Sequence, residues 1–350
     1  MTSVETVGII GAGEFGQLFA TRLSPIDAEI LMTDTNDAVR VPDNVTRTDL
    51  NTVAGADAVI LAVPFESYPD LLPFIVQRVP EKTLLVDVCS VKMEPTKLFE
   101  QNGLLDRENV LMTHPLFGPQ SAATGVEGKN LVVTAVVGKR AADLLEIWES
   151  RGIQVQTMSA EEHDQEMAKV HVLPFFIGRT LLNMGLNGSS LGTEYYGKLL
   201  ALIDVERHHS PELFDTIQRH NPFAVSTRSG LIANLVKTHV QISSKHTGQT
   251  ETQTPLGRLD EYRGALDVID EALLTLYALR FGISRDIGDL KAKNDLPSLD
   301  PAREEEQREH IEIAANQLDL PVGLLLQVDR LIKAEVVREH ETIKRDNAPS

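Results

Sequence analysis

The sequence predicts an α/β domain with a doubly wound parallel sheet, followed by an all-α remainder. Short apolar runs alternate with helix-like stretches from residue 6 to about residue 157. A glycine-rich turn joins the first of these runs to the first helix-like stretch, and from Ser159 onward the pattern changes to helix.

Thr6 to Ile10 reads as the first strand and runs into Gly11-Ala12-Gly13-Glu14-Phe15-Gly16, with a helix from Gln17 to about Leu23. A G-x-G-x-x-G between strand and helix is the Rossmann-type setting for a dinucleotide. Gly11 allows the tight turn, Gly13 lets a pyrophosphate approach the backbone, and Gly16 lets the helix pack on the sheet. The second strand, Glu29 to Thr33, ends at Asp34, where a carboxylate takes the ribose hydroxyls. No arginine follows directly to receive a 2'-phosphate, so NAD is expected rather than NADP. Ala58 to Val63 is wholly apolar, as a parallel strand covered on both faces should be. Pro64 and Phe65 end it, which sets Val63 and Pro64 beside the cofactor crevice.

Leu84 to Val88 is the next strand and closes at Cys89-Ser90-Val91-Lys92. Asn109 to Met112 follows and leads into Thr113-His114-Pro115-Leu116-Phe117-Gly118-Pro119-Gln120-Ser121. Pro115, Gly118 and Pro119 stop any helix, so His114 is expected where a strand ends and a stiff loop begins. A histidine held there is a candidate general base near neutral pH. Leu131 to Val137, a helix around Ala141 to Ser150, and Gln154 to Gln156 complete the alternation. Ligands of such sheets bind at the carboxyl ends of the strands, which is where Ser90 and His114 fall.

Long helical segments run to about Val240, broken at Gly185 to Gly188, Pro211 and Pro222. Ser243 to Pro255 is polar and reads as a flexible linker. From Leu256 to Leu296 there is no proline, and Leu259, Leu266, Ile269, Leu273, Leu276 and Leu279 recur at helical spacing. Asp300-Pro301 is an N-cap followed by proline at the first helical position, and Pro321 opens a third helix. Three helices make a small core, which suggests dimerisation. The expected domains are thus 1–158, 159–242, a linker at 243–255, and 256–345.

Composition limits the partners. The chain has 350 residues, a formal net charge of -18, and a single cysteine. The charge argues against nucleic acid and anionic membrane, but not against a small anionic substrate. No apolar run is long enough to cross a bilayer, and Met1 to Thr6 lacks the parts of a signal peptide. The lone Cys89 suits a reducing, cytoplasmic setting. No metal site is expected.

Residues 6 to about 240 resemble the prephenate/arogenate dehydrogenases. The resemblance rests on the glycine loop, Asp87 to Lys92, His114-Pro115-Leu116-Phe117-Gly118-Pro119, and Glu162-His163-Asp164-Gln165-Glu166-Met167-Ala168. It implies oxidative decarboxylation of prephenate by NAD to 4-hydroxyphenylpyruvate, CO2 and NADH. It also implies that His114 accepts the proton of the ring hydroxyl and that Ser90 shares that hydroxyl. The family's arginine for a substrate carboxylate has no clean counterpart; Lys198, Arg207 and Arg179 are the candidates. The family's histidine near 173 is replaced by Val172-Leu173-Pro174-Phe175, with His171 just before it.

Residues from about 256 to 345 resemble the all-helical chorismate mutases, on Tyr262-Arg263, Asp267, Asp270, Leu273-Leu274, Arg280, Gly288, Lys291 and Asp300-Pro301-Ala302-Arg303-Glu304. The resemblance implies a three-helix fold in which Arg280 and Arg303 take the carboxylates of chorismate. Arg263 then reaches in from the partner chain of a homodimer. Lys291 donates to the ether oxygen, and Glu304 and Asp300 organise the hydroxyl and the loop. Val336 and His340 stand where the family commonly has serine and glutamine, which leaves His340 as the expected second donor to that oxygen. A mutase that makes prephenate beside a dehydrogenase that consumes it points to tyrosine biosynthesis. Three alternatives remain: an arogenate dehydrogenase, a β-hydroxyacid dehydrogenase with a helical oligomerisation module, or a helical module that senses an aromatic metabolite.

Overall fold

The computed structural model describes residues 4–244, 255–294 and 296–346. The chain divides into two compact units, Met1–Ile232 and Ala233–Ser350. Residues 245–254 of the expected linker lie outside the described residues.

The first unit is built on an eight-stranded sheet of order β3-β2-β1-β4-β5-β6-β7-β8. The strands are β1 (Thr6–Ile10), β2 (Glu29–Thr33), β3 (Thr46–Arg47), β4 (Ala58–Leu61), β5 (Leu84–Asp87), β6 (Val110–Pro115), β7 (Asn130–Val137) and β8 (Gln154–Thr157). Seven were expected. The edge strand β3, only two residues long, is too short to show as a pattern.

Helices α1 (Glu14–Leu18), α2 (Leu50–Ala54), α3 (Tyr68–Arg78), α4 (Met93–Gln101) and α5 (Lys139–Ser150) connect the strands. Leu18 and the π-helical turn behind it, with Leu144 and Trp148 of α5, cover one face. Leu72 and Ile75 of α3, with Phe99 of α4, cover the other. Trp148 donates its indole N–H to the Leu23 carbonyl at 2.8 Å, so even the largest buried side chain leaves no polar atom unpaired.

Two expectations are corrected here. The sheet is parallel at every pairing but one, since β7 runs antiparallel to β6. Residues 116–129 between them form no helix, so the chain turns back instead of crossing over. His114 is not at the start of a loop, because β6 continues through Pro115 by pairing with Leu131. Opposite the Met112/Thr113 step the register slips by one, and Thr134 of β7 is the extra residue of this bulge.

The helical part of this unit begins at Ser159. Its hydroxyl accepts the Glu162 amide while the Glu162 carboxylate accepts the Ser159 amide, a complete capping box. Helix α6 (Ala160–Met167) passes through a π-helical turn, Ala168–Val172, into α7 (Leu173–Asn183). Pro174 lacks the amide that would bond back into this turn, a physical reason for the wide geometry there. α8 (Glu194–Arg207) and α9 (Pro211–Arg219) follow, and α10 (Ala224–Ser244) contains the division between the units, after Ile232.

The second unit contains α11 (Pro255–Lys293), α12 (Pro301–Gln317) and α13 (Val322–Asp346), with α13 packed against both others. Asp300 caps α12 by accepting the Arg303 amide at 3.1 Å. Much of α11 is apolar yet exposed: Leu274 keeps 68% of its surface and Leu279 62%.

Candidate active site

The glycine loop has the space its pattern requires. Gly11 has φ +106°, and a Cβ there would lie 2.2 Å from the Ala62 carbonyl oxygen. A Cβ on Gly16 would meet the Gly11 oxygen at 2.0 Å, so the loop and α1 close on each other only without side chains. Gly13 faces open space, which leaves room for a pyrophosphate over the backbone. Asp34 accepts the Ala12 amide at 2.7 Å through one oxygen and the Asn36 amide at 2.8 Å through the other. Each oxygen keeps acceptor capacity for a ribose hydroxyl. Glu14 is exposed and Phe15 half-buried at the start of α1. Val63 borders Gly11, and Pro64 is exposed where the chain leaves β4. The residues present therefore fit a dinucleotide.

β5 and β6 are neighbours, so Ser90 and His114 leave adjacent strands at the same end of the sheet. Ser90 is half-buried, His114 fully buried. Around His114 the helical part adds residues that the sequence reading did not assign. His114 Nδ1 lies 2.8 Å from His163 Nε2, and His163 Nδ1 lies 2.8 Å from Asp164 Oδ1. The His171 ring stands edge-on to His114 at 5.2 Å between centroids. It sits in the π-helical turn, a common place for functional side chains. Its Nδ1 is buried and has no partner among the described residues. Phe175 continues the row and stacks on His209 at 4.3 Å.

Burial holds these imidazoles neutral. It pushes His114 well below the usual histidine range, and His163, His171 and Lys92 add repulsion. Burial also lowers His163, against the pull of Asp164. His171 is lowered to about 4 by burial, with His163 and His209 adding to it. A neutral His114 is the form that can accept a proton. Cys89, by contrast, is pushed up to about 12 by burial and by Asp87, so it is no nucleophile at neutral pH.

The charged candidates for a substrate carboxylate separate. Lys198 is exposed, pairs with Glu194 at 2.9 Å and lies over the Tyr195 ring. Arg207 is exposed and lines a shallow depression with Asn187, Gly197 and Asp204. These contacts all lie within α8 and the turn before it, not in the histidine row. Arg179 does reach that row. It forms an ion pair with buried Glu206 at 2.6 Å and lies over the Phe214 ring, and Glu206 stands 3.8 Å from His209. Burial lowers His209 while Glu206 and, more weakly, Glu14 of the glycine loop oppose it. The spacing of His163 and His171, eight residues apart on one helical run, was the sequence signal for the cluster. Among the described residues no three His, Cys, Asp or Glu side chains gather as a metal site.

In the second unit, Arg280 lies 4.0 Å from Asp329, which also holds Lys333 at 2.7 Å. Lys291 donates to the Ser298 carbonyl at 2.9 Å. Arg263 and Arg303 are exposed and paired within their own helices to Asp260 and Glu306, and Glu304 is half-buried. His340 is buried and bonded within its own unit. Its Nε2 lies 2.7 Å from the Ser284 carbonyl, which can only accept, so Nε2 carries the proton. Its buried Nδ1 has no partner among the described residues.

Comparison with known proteins follows the same division. Residues 17–156 match the family model described as prephenate dehydrogenase, nucleotide-binding domain, and residues 262–341 match chorismate mutase type II. The chain carries a domain of each kind. It is 29% identical over 238 residues to arogenate dehydrogenase 2, chloroplastic, of Arabidopsis thaliana, covering 64% of this chain and 66% of that protein. It is 29% identical over 173 residues to the T-protein of Enterobacter agglomerans, covering 47% of this chain and 41% of that one. The chain thus spans less than two thirds of the length of these two curated relatives. Among solved structures, prephenate dehydrogenase from A. aeolicus, in complex with hydroxyphenyl propionate and NAD+, superposes with a TM-score of 0.54. The identity is 19%, covering 80% of this chain and 99% of that one. That likeness shows a shared fold.

Proposed function

We propose that a chain carrying a prephenate dehydrogenase nucleotide-binding domain and a type II chorismate mutase domain catalyses two consecutive steps of tyrosine biosynthesis. The second unit rearranges chorismate to prephenate. The first oxidatively decarboxylates prephenate to 4-hydroxyphenylpyruvate, with NAD as hydride acceptor. The observation that carries this reading is the presence of both domain matches on one chain, because the product of one chemistry is the substrate of the other. The same pairing favours prephenate over arogenate, which would need a transamination between the steps.

The residues on hand suit each step. NAD held over Gly11, Ala12, Gly13 and Gly16, with Asp34 at its ribose, would take the hydride from the ring carbon that bears the hydroxyl. Neutral His114 accepts the hydroxyl proton, and Ser90 at the end of the neighbouring strand shares that hydroxyl. Loss of the ring carboxylate aromatises the ring, so the protein's main task is alignment. Arg179 is the cation best placed for a substrate carboxylate. In the mutase unit, Arg280, Arg303 and Lys291 clamp a compact conformer of chorismate and stabilise charge on its ether oxygen, with Asp300 and Glu304 ordering the loop.

We read the assembly as a homodimer. The exposed apolar residues of α11, such as Leu266, Leu274 and Leu279, need covering, and Arg263 on the same helix is solvent-exposed, its pair with Asp260 lying at the surface where a neighbour's site can compete for it. Among the described residues no helix is long and apolar enough to cross a membrane, and the buried thiol of Cys89 suits a cytoplasmic protein. The deciding experiment gives purified protein chorismate, first without and then with NAD. Loss of chorismate without NAD, and NADH only after NAD is added, support both steps. Chorismate left intact removes the mutase. NADH formed from arogenate but not prephenate reverses the substrate choice.

A further inference from the structure

The proton positions in the His114 cluster follow from its partners. Asp164 Oδ1 accepts the Lys92 backbone amide at 2.9 Å, and Oδ2 accepts the Met93 amide at 2.9 Å. Two donors from the segment after β5 therefore fix the carboxylate in place. Its third neighbour is His163 Nδ1, at 2.8 Å. A carboxylate holding two amides accepts again, so His163 Nδ1 carries a proton. In a neutral imidazole the other nitrogen then has none, and His163 Nε2 is an acceptor. The atom facing it, 2.8 Å away, is His114 Nδ1, which must donate.

We propose that His163 and Asp164 form an orienting relay that fixes His114 as the Nδ1–H tautomer, leaving Nε2 as the proton acceptor. The inference deepens the dehydrogenase reading and rests on it for its consequence. When the substrate O–H breaks, its proton goes to His114 Nε2 and its electron pair stays on oxygen, where it forms the carbonyl as hydride leaves the carbon. The imidazolium formed on His114 donates from Nδ1 to His163, whose far nitrogen is already anchored on Asp164. Both rings and the carboxylate are buried, so no solvent competes for these bonds. His163 touches no reacting atom in this scheme and is a positioning residue. Burial that keeps His163 neutral is consistent with its acceptor role. The other neighbour of His114, His171, makes an edge-on ring contact and no hydrogen bond to it, so it does not set the tautomer.

The tautomer can be read without turnover. In protein labelled with 15N at histidine, multiple-bond proton–nitrogen correlation at neutral pH separates protonated from unprotonated ring nitrogens, and His114→Asn identifies the His114 signals. The expected result is Nδ1 protonated and Nε2 unprotonated. The reverse pattern, or a mixture, overturns the proposal. Kinetics supply a second arm. His163→Leu removes the acceptor, and should lower dehydrogenase kcat by about tenfold to a hundredfold with a much smaller change in KM. His163→Gln restores an acceptor oxygen, and should recover part of the loss. A folded His163→Leu protein with wild-type kcat overturns the proposal. If prephenate gives no NADH with wild-type protein while the expected tautomer is present, it is the dehydrogenase reading that fails.

Discussion

Lys92 forms an ion pair with Asp87 at a depth where neither side chain has any exposed surface. The ammonium also donates to the Thr113 carbonyl, the residue before His114, and Asp87 accepts the Tyr68 hydroxyl at 2.6 Å. The Lys92 backbone amide meanwhile binds Asp164. One residue thereby ties β5, β6 and α6 together beneath the proposed base. Removing one partner of a buried pair leaves an uncompensated charge, which costs about 3–5 kcal/mol. We expect Asp87→Leu to lose about that much stability in urea unfolding, and Asp87→Leu with Lys92→Met to recover most of it. A single variant as stable as the parent would show that the pair is not coupled as described.

The two proposed sites should fail separately. His114→Asn should lower NADH formation from prephenate by at least about a hundredfold, the scale of a lost general base, while chorismate disappears at the parental rate. Arg303→Ala should do the reverse when prephenate is supplied directly. Coupled stopped-time assays of both reactions on each variant check this. Loss of both activities in either folded variant would show that the sites are not independent.

The pH dependence has a definite sign. His171 titrates near 4 when folded and near the ordinary histidine value when unfolded. Between those values the unfolded chain binds more protons, so stability falls as pH is lowered from about 6.5 to about 4 and does not fall further on account of this group below that. His114 and His163 are shifted in the same direction and add to the slope. Unfolding free energies measured across this window should show the decline, and His171→Phe should flatten it. Since His114 stays neutral well below its ordinary value, the acidic limb of kcat/KM for NADH formation should also lie below about pH 6.5.

Gly288 tests the packing of the second unit. A Cβ there would lie 2.6 Å from His340 Cδ2 and 3.1 Å from its Nε2, the atom bonded to the Ser284 carbonyl. Overpacking of this kind costs about 1–3 kcal/mol. Gly288→Ala should lower the melting temperature by several degrees and reduce mutase activity, with His340→Gln milder on both counts. Calorimetry and the chorismate assay read the two effects.

Much of this architecture is written locally. Strand runs such as Ala58–Leu61, the change to helix at Ser159, the Asp300 cap, and the breaks at Gly185 and Pro211 depend on near neighbours, and each appears at or close to its expected place. The reversal of β7 could not be read in this way, because its residues suit either direction and only the helix-free path of 116–129 decides it. The roles of His163 and Asp164 were hidden for a different reason. Their sequence neighbours mark them as a helix start, and what gives them work is His114, 49 residues away. Arg179 gains its place in the same way, through Glu206 one helix later.

Thr134 shows what one surplus residue does. Ala135 and Val137 pack on the layer shared with Met112, whereas Leu131 and Val133 pack on the opposite layer with Leu111. A regular strand would put all four on the same side. The strand thus changes sides halfway, and Val132 becomes the wall opposite His114. Shortening the chain here by a single codon would turn half of the strand inside out, while most replacements at that codon would leave its phase intact. The constraint falls on how many residues the strand has more than on which they are.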